Sequence, residues 1–267
     1  MSGSPRIWVQ GAGEMASAVA VCLVRAGCRV VMAEIAAPLA VRRLACFSEA
    51  VFEGSALVAG VPGALATPEE AAFRDGLVTV LVDPVAGQMS RLCPQAIVDA
   101  RMTKMPPAPL PRGRAPLVGL GPGFTCGVDA DRIVETHRDA GPGRVVAVGC
   151  AAPNTGIPGE VGGATADRVL RAPAAGHLEP RCAIGDLVEA GQVVGFVAGQ
   201  PVAAILAGLV RGLVHPAAAL ATGDKVGDID PRGAAVDPRD VTDKGLAIGQ
   251  GVVCALRELG VLGCPGG

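Results

Sequence analysis

Residues 6–34 read RIWVQGAGEMASAVAVCLVRAGCRVVMAE and predict a strand, a glycine turn, a helix and a second strand. The turn Gly11–Ala16 fits the pattern G-x-G-x-x-G/A, which binds the pyrophosphate of dinucleotides. Gly11 permits the tight turn, Gly13 lets the backbone approach a phosphate, and the helix start supplies partial positive charge. Glu34, after the second strand, is placed to accept ribose hydroxyls. We therefore expect a Rossmann-type unit here. It either binds a dinucleotide or uses its glycines only to form the tight turn.

Further candidate contacts lie at the start of this helix and after later strands. Glu14 and Met15 open the helix, and Asp83 ends an apolar strand. Gly121 and Gly123 follow another apolar strand, and such turns surround the site in a parallel α/β sheet. Asp83 could equally cap the next segment. The candidate cofactor-binding residues are Gly11, Gly13, Glu14, Met15, Glu34, Asp83, Gly121 and Gly123.

The composition limits the class of protein. The chain has 267 residues, of which 50% are hydrophobic and 2% aromatic, and its net charge is −2. This length suits one large or two modest domains, and the absence of a basic run argues against nucleic-acid binding. No apolar stretch is long enough for a membrane span. The nine cysteines are scattered, which favours reduced thiols in the cytoplasm and offers no zinc-ligand spacing.

Two further segments in the first half carry predictions. Ala36–Ala50 reads as a helix with Arg42 and Arg43 on a solvated face. The glycine-rich run before Cys126, followed by a predicted helix over residues 130–139, suggests a second anion-binding turn. Cys126 would lie near that helix start, where a thiolate is stabilised. It is the candidate catalytic residue for sulfur or selenium chemistry, the alternative being a small buried thiol.

From about Val169 the sequence pattern changes and predicts short strands separated by glycine and aspartate. Segments 172–176 and 188–194 recur at a shift of 32 residues, as 204–208 and 220–226. This repeat resembles the biotinyl/lipoyl-type barrel-sandwich module, the alternative being a generic small β domain. The stretch that would join the two halves, 198–202, contains no lysine, so neither biotin nor lipoate is expected.

These observations predict an α/β protein in four parts. A Rossmann-like nucleotide-binding domain with a parallel sheet covers residues 1–143, and a glycine-rich linker covers 144–167. A small all-β barrel-sandwich domain follows over 168–233, and a C-terminal helical segment over 234–267.

The chain resembles the YqeB-type accessory family of the selenium-dependent molybdenum hydroxylase system. The segments that carry the resemblance are Gly11–Gly13, Ala40–Arg43, GLGPGFT at 119–125, PNTGIPGE at 153–160, Leu170–Pro173, Gly185–Val188 and Gly227–Arg232. The resemblance implies a role in maturing molybdenum hydroxylases, such as xanthine or purine dehydrogenases, with selenium handling as part of it. It supplies no catalytic residues.

Three functions therefore stay open. The first is a cytoplasmic maturation factor that binds NAD(P) or molybdopterin dinucleotide and contacts the hydroxylase or its maturation proteins. The second is an NAD-dependent oxidoreductase on a small substrate; Glu34 would favour NAD over NADP, but no Lys/His/Tyr acid–base set is evident. The third is a non-catalytic scaffold. A homo-oligomer is compatible with each of them.

Overall fold

The computed structural model describes residues 3–103, 107–154 and 162–263. The strands of its first part are β1 Arg6–Gln10, β2 Arg29–Glu34, β3 Ser55–Val58, β4 Val61–Leu65, β5 Val78–Val82, β6 Ala96–Asp99, β7 Leu117–Leu120, β8 Thr125–Cys126, β9 Arg132–Val134, β10 Val145–Val146 and β11 Gly149–Cys150. The strands of the second part are β12 Val169–Arg171, β13 Leu178–Pro180, β14 Leu187–Val188, β15 Val193–Val197, β16 Gln200–Ala203, β17 Gly208–Leu213 and β18 Lys225–Asp230. The α-helices are α1 Glu14–Arg25, α2 Ala50–Glu53, α3 Met89–Leu92 and α4 Asp243–Glu258.

One mixed sheet of nine strands organises the first part, in the order β10-β9-β7-β6-β1-β2-β5-β4-β3. The central strands are parallel, whereas β10 and β3 at the two edges are antiparallel to their neighbours. The chain leaves β1 for β2 on one side and later returns to β6 on the other. The apolar runs of β1 and β2 are buried on both faces, as expected for central parallel strands.

Helices α1 and α4 cover one face of this sheet together. Val19 and Leu23 of α1 share a buried core with Ile248, Val252 and Leu256 of α4. Three glycines bring the two helices close to each other and to the neighbouring turn: Gly245, Gly249 and Gly251. The opposite face is covered by irregular segments that bury Trp8, Met89, Phe124 and their neighbours.

The second part, which we call the β unit, spans β12 to β18. It contains a four-stranded antiparallel sheet in the order β12-β18-β17-β14 and a three-stranded antiparallel sheet in the order β13-β15-β16. The two sheets share one core, in which Leu178 and Val197 meet Val210 and Ile229. The four-stranded sheet takes strands from both halves of the sequence repeat, whereas the three strands of the other sheet all precede the second half, which begins at residue 204.

The predicted fold class, a Rossmann-like parallel sheet followed by a barrel-sandwich module, is wrong in both parts. The large sheet is mixed, and within the described residues α1 is the single helix longer than four residues that connects its strands. A doubly wound fold would place a helix in most of these connections. The β unit forms two separate open sheets and does not close into a barrel.

Among the described residues, no helix is both long enough and apolar enough to span a lipid bilayer.

Candidate functional site

The glycine turn lies where the strand order of the large sheet reverses, between the carboxyl ends of β1 and β6. Gly11 has a φ of 101°, which favours glycine. A Cβ on Gly11 would also lie 3.0 Å from the carbonyl oxygen of Ala100, which follows β6. In open α/β sheets, ligands bind in the crevice at such a switch point. The turn is therefore the first candidate for a binding site.

The start of α1 is open to a ligand. Gly13 caps the helix with extended backbone, and no side chain of the described residues caps the first N–H groups. A Cβ added to Gly13 would meet no atom within 4 Å. Uncapped N–H groups at a helix start attract anions. The side chain of Met15 is partly buried and packs against the core.

Glu34 binds the glycine turn itself. Its Oε2 accepts a hydrogen bond from Ala12 N at 2.7 Å, and its Oε1 accepts one from Ile35 N at 2.8 Å. Each carboxylate oxygen retains further acceptor capacity, because an ionised carboxylate has about four acceptor sites. Glu34 can therefore accept a ligand hydroxyl while it holds the turn.

A cavity of about 250 Å³ lies beside the start of α1. Glu14, Glu34 and Arg42 provide its charged groups. The rest of its wall is Gly13, Ile35, Pro38, Leu39, Ala40, Val41 and Cys46. The volume and the mixture of apolar wall and carboxylates suit a group of sugar size with hydroxyls.

The burial of Arg42 differs from the prediction. Residues 36–50 form no continuous helix, and Arg42 is 3% exposed instead of solvated. It donates to Glu14 Oε1 at 2.7 Å and to the carbonyl oxygen of Asp240 at 2.7 Å, with a longer bond of 3.3 Å to that of Pro238. The helix fails because this segment packs between the large sheet and β17, where Arg43 also donates to the carbonyl oxygen of Leu213. Arg42 thereby neutralises Glu14 at the start of α1.

Asp83 serves the turn after β5. Its two carboxylate oxygens accept hydrogen bonds from Gly87 N and Gln88 N, both at 2.8 Å. Gln10, at the end of β1, donates to the carbonyl oxygen of Asp83 at 3.2 Å. The carboxylate is therefore engaged in the local cap that the sequence offered as the alternative.

The second anion-binding turn does not have its helix. The segment after Cys126 forms β9, because Asp129 Oδ2 accepts from Thr125 N at 2.8 Å and closes a turn. Cys126 is half-buried in β8, with its thiol 3.4 Å from the carbonyl oxygen of Asp131. The expected stabilisation of a thiolate by a helix start is thus absent there. Position 121 requires glycine for two reasons. Its φ is +73°, and a Cβ would collide with the side chain of Thr136.

A smaller cavity of about 200 Å³ lies at the end of β6. Asp99 there is 1% exposed and is bound by the Arg101 guanidinium, at 2.9 Å to Oδ1 and 2.5 Å to Oδ2. Arg101 also donates to the carbonyl oxygen of Ala108 at 2.7 Å. The two charges are therefore matched to each other, and Phe124 contributes an apolar wall.

Three charged residues of neighbouring segments have no recognisable sequence motif. Lys244 lies in the first turn of α4, beside the start of α1, where Thr242 contacts Glu14 at 3.4 Å. Burial lowers the pKa of Lys244, the charge of Arg138 lowers it further, and Glu14 and Glu135 oppose this. The other two are Glu135, which is fully buried, and Arg211 of β17. Local sequence does not identify Lys244 or Arg211, because each belongs to a segment far along the chain from the Gly11–Gly13 turn. In the PNTGIPGE segment, residues 155–160 lie outside the described residues.

Comparison with known proteins finds a relative that matches nearly the whole chain. The chain is 41% identical over 261 residues to a protein named "Uncharacterized protein YqeB" from Escherichia coli K12, which covers 97% of the chain. The chain spans about half of that relative, 48% of its length. No family model matches the chain.

Likenesses to solved structures are partial. An aspartoacylase family protein from Mesorhizobium loti matches 24% of the chain and 23% of its own, at 26% identity and a TM-score of 0.23. A succinylglutamate desuccinylase/aspartoacylase from Rhodobacter sphaeroides matches 24% of the chain and 22% of its own, at 24% identity and a TM-score of 0.22.

Proposed function

Because this chain belongs to the YqeB-type family, we propose that it is a cytoplasmic accessory factor that helps mature a molybdenum hydroxylase and binds a dinucleotide at the Gly11–Gly13 turn. The dinucleotide is NAD(P) or molybdopterin dinucleotide, both of which carry a pyrophosphate. The maturation role rests on the resemblance of the GLGPGFT and PNTGIPGE segments to that family. Contact with the hydroxylase or with its maturation proteins, and selenium handling, belong to the same proposal.

One observation carries the dinucleotide part: the uncapped start of α1 opens beside a cavity that contains two carboxylates. The pyrophosphate would lie on the N–H groups that follow Gly13, because the helix dipole and these donors favour anions. A ribose would lie in the cavity of about 250 Å³, within reach of Glu34 and Glu14. Arg42 offsets the charge of Glu14, which would otherwise repel the phosphates.

Calorimetric titration of the full chain with NAD, NADP and molybdopterin dinucleotide tests binding. Gly13→Ala is the key variant, because its Cβ meets open space and its φ of −70° suits alanine, yet the methyl group would obstruct a phosphate. We expect it to weaken binding at least about tenfold with an unchanged melting temperature. Gly3→Ala, at the amino ends of the central strands and so opposite the turn, is the matched control. A wild-type chain that binds none of the three ligands would refute the dinucleotide proposal.

Maturation is tested separately, by co-expressing the chain with a molybdenum hydroxylase. We expect the hydroxylase to gain activity and cofactor content with the wild-type chain, and less with Gly13→Ala. Equal activity with and without the wild-type chain would contradict the maturation role.

A further inference from the structure

Arg211 of β17 is a buried arginine without a matched partner. It is 8% exposed, and its Nε has no hydrogen-bond partner. Among the residues that the structure describes, its ion contact is the one to Asp230 Oδ2 at 3.4 Å. Buried guanidinium groups are normally held by short, charge-assisted hydrogen bonds. Arg42 also has an unpaired Nε, but it makes bonds of 2.7 Å through its terminal nitrogens, whereas the ion contact of Arg211 is longer.

The carboxylates near Arg211 are already bound by other arginines. Arg232 donates to both oxygens of Asp230, at 2.9 and 2.7 Å. Asp228 is paired with Arg168. Glu14 is paired with Arg42 at 2.7 Å. Arg211 is the guanidinium left over when these pairs are formed, and its charge is surplus in this part of the interior.

The strand that carries Arg211 packs against the segment that lines the cavity. A Cβ on Gly212, the next residue, would lie 2.5 Å from the carbonyl oxygen of Val41 and 3.1 Å from Arg42 N, so β17 touches the cavity wall. Burial lowers the pKa of Arg211, and the neighbouring charge of Arg42 lowers it further. Asp230 and Glu14 raise it. Arg42 and Glu14 both belong to the cavity wall that β17 contacts.

We propose that Arg211 supplies a buried positive charge to an anionic, phosphate-bearing ligand at the start of α1, so that the β unit forms part of the binding site. The ligand's location rests on the proposed function, but the charge surplus does not. An unmatched charge in a poorly solvated interior is stabilised by an anion near it, since Coulomb interactions are stronger there than in water. The ligand phosphates would provide that anion.

The test compares Arg211→Met and Arg211→Lys with the wild-type full chain, using ADP, inorganic pyrophosphate and adenosine as calorimetric probes. We expect Arg211→Met to weaken ADP and pyrophosphate about tenfold and to leave adenosine unchanged. Arg211→Lys should keep most of the affinity, because the charge is retained. Arg171→Met, an exposed arginine of the same unit, is the control and should change nothing.

A second readout separates this role from a structural one. If Arg211 is surplus, Arg211→Met should raise the urea midpoint of the ligand-free chain, since an uncompensated buried charge is removed. A lower midpoint, or unfolding, would show that Arg211 holds the fold and would overturn the inference. Equal ADP binding by wild type and Arg211→Met would also overturn it, with the proposed function intact. Pyrophosphate binding that depends on Arg211, without nucleotide binding, would keep the inference and refute the dinucleotide. Absence of all binding would refute both.

Discussion

The Glu34 carboxylate accepts a hydrogen bond from the backbone N–H of Ala12, with an Oε2–N distance of 2.7 Å. The acid at the end of β2 and the glycine turn after β1 are therefore joined before any ligand arrives. This bond gives Glu34 two roles, because it orients the turn and also faces the cavity.

Glu34→Gln should separate these roles. An amide can accept from either Ala12 N or Ile35 N but presents a donor to the other, so we expect a loss of about 1 kcal/mol in the free energy of unfolding. If NAD binds as proposed, its preference over NADP should also fall, since a carboxylate repels a 2′-phosphate. Urea denaturation and calorimetry measure the two effects, with the exposed Glu179→Gln as control. An unchanged NAD/NADP ratio would remove Glu34 from ligand recognition.

Arg42→Met should be strongly destabilising. It leaves the Glu14 carboxylate and two backbone carbonyl groups without their buried donor. We expect a loss of about 3 kcal/mol in the free energy of unfolding. Adding Glu14→Gln should recover part of the loss, because the unpaired charge is then gone. A double variant no more stable than Arg42→Met would show that the carbonyl contacts dominate.

Gly249→Ala should destabilise the protein even though alanine is the better helix former. A Cβ at Gly249 would lie 2.5 Å from Cys22 Sγ and 3.0 Å from the Ala18 carbonyl oxygen. Separating α4 from α1 should cost about 1–3 kcal/mol, more than the gain of about 1 kcal/mol in propensity. The exposed Gln250→Ala on the same helix is the control for urea denaturation. A stabilised Gly249→Ala would mean that the helices tolerate wider spacing.

Cys28 should make stability fall at high pH. Burial raises the pKa of its thiol to about 11 from 9.0. The folded state therefore keeps the proton while the unfolded chain loses it, so stability is full below pH 9 and declines as the pH rises towards 11. Cys28→Ala should flatten the decline over that window in urea midpoints. The same steepness in both proteins would assign the decline to other groups.

Local sequence was enough to predict β1, α1 and β2, which appear in the predicted order within residues 6–34. Periodicity and the Gly11 turn determine these elements without help from distant segments. Glycines weaken an isolated helix, yet Gly245 and Gly249 of α4 allow its close contact with α1. This packing role of the two glycines depends on α1, which lies more than 200 residues away in the sequence.

The site was predictable only in part, for the same reason. The open start of α1 after Gly13 follows from a local motif. The burial of Arg42 does not, because it arises from packing against β17 and the segment before α4. The helix expected after Cys126 was wrong because Asp129 satisfies Thr125 N within a turn, a choice that residue type alone leaves open.

The pairing of α1 with α4 also orders events during folding. The apolar face of α1 leaves the ribosome well before Ile248, Val252 and Leu256, which complete its core and are synthesised more than 200 residues later. Until then that face is available to chaperones or to other chains, since contacts of large sequence separation form slowly. Nascent chains arrested before Asp243 should therefore remain bound to chaperones, and release should coincide with the emergence of α4.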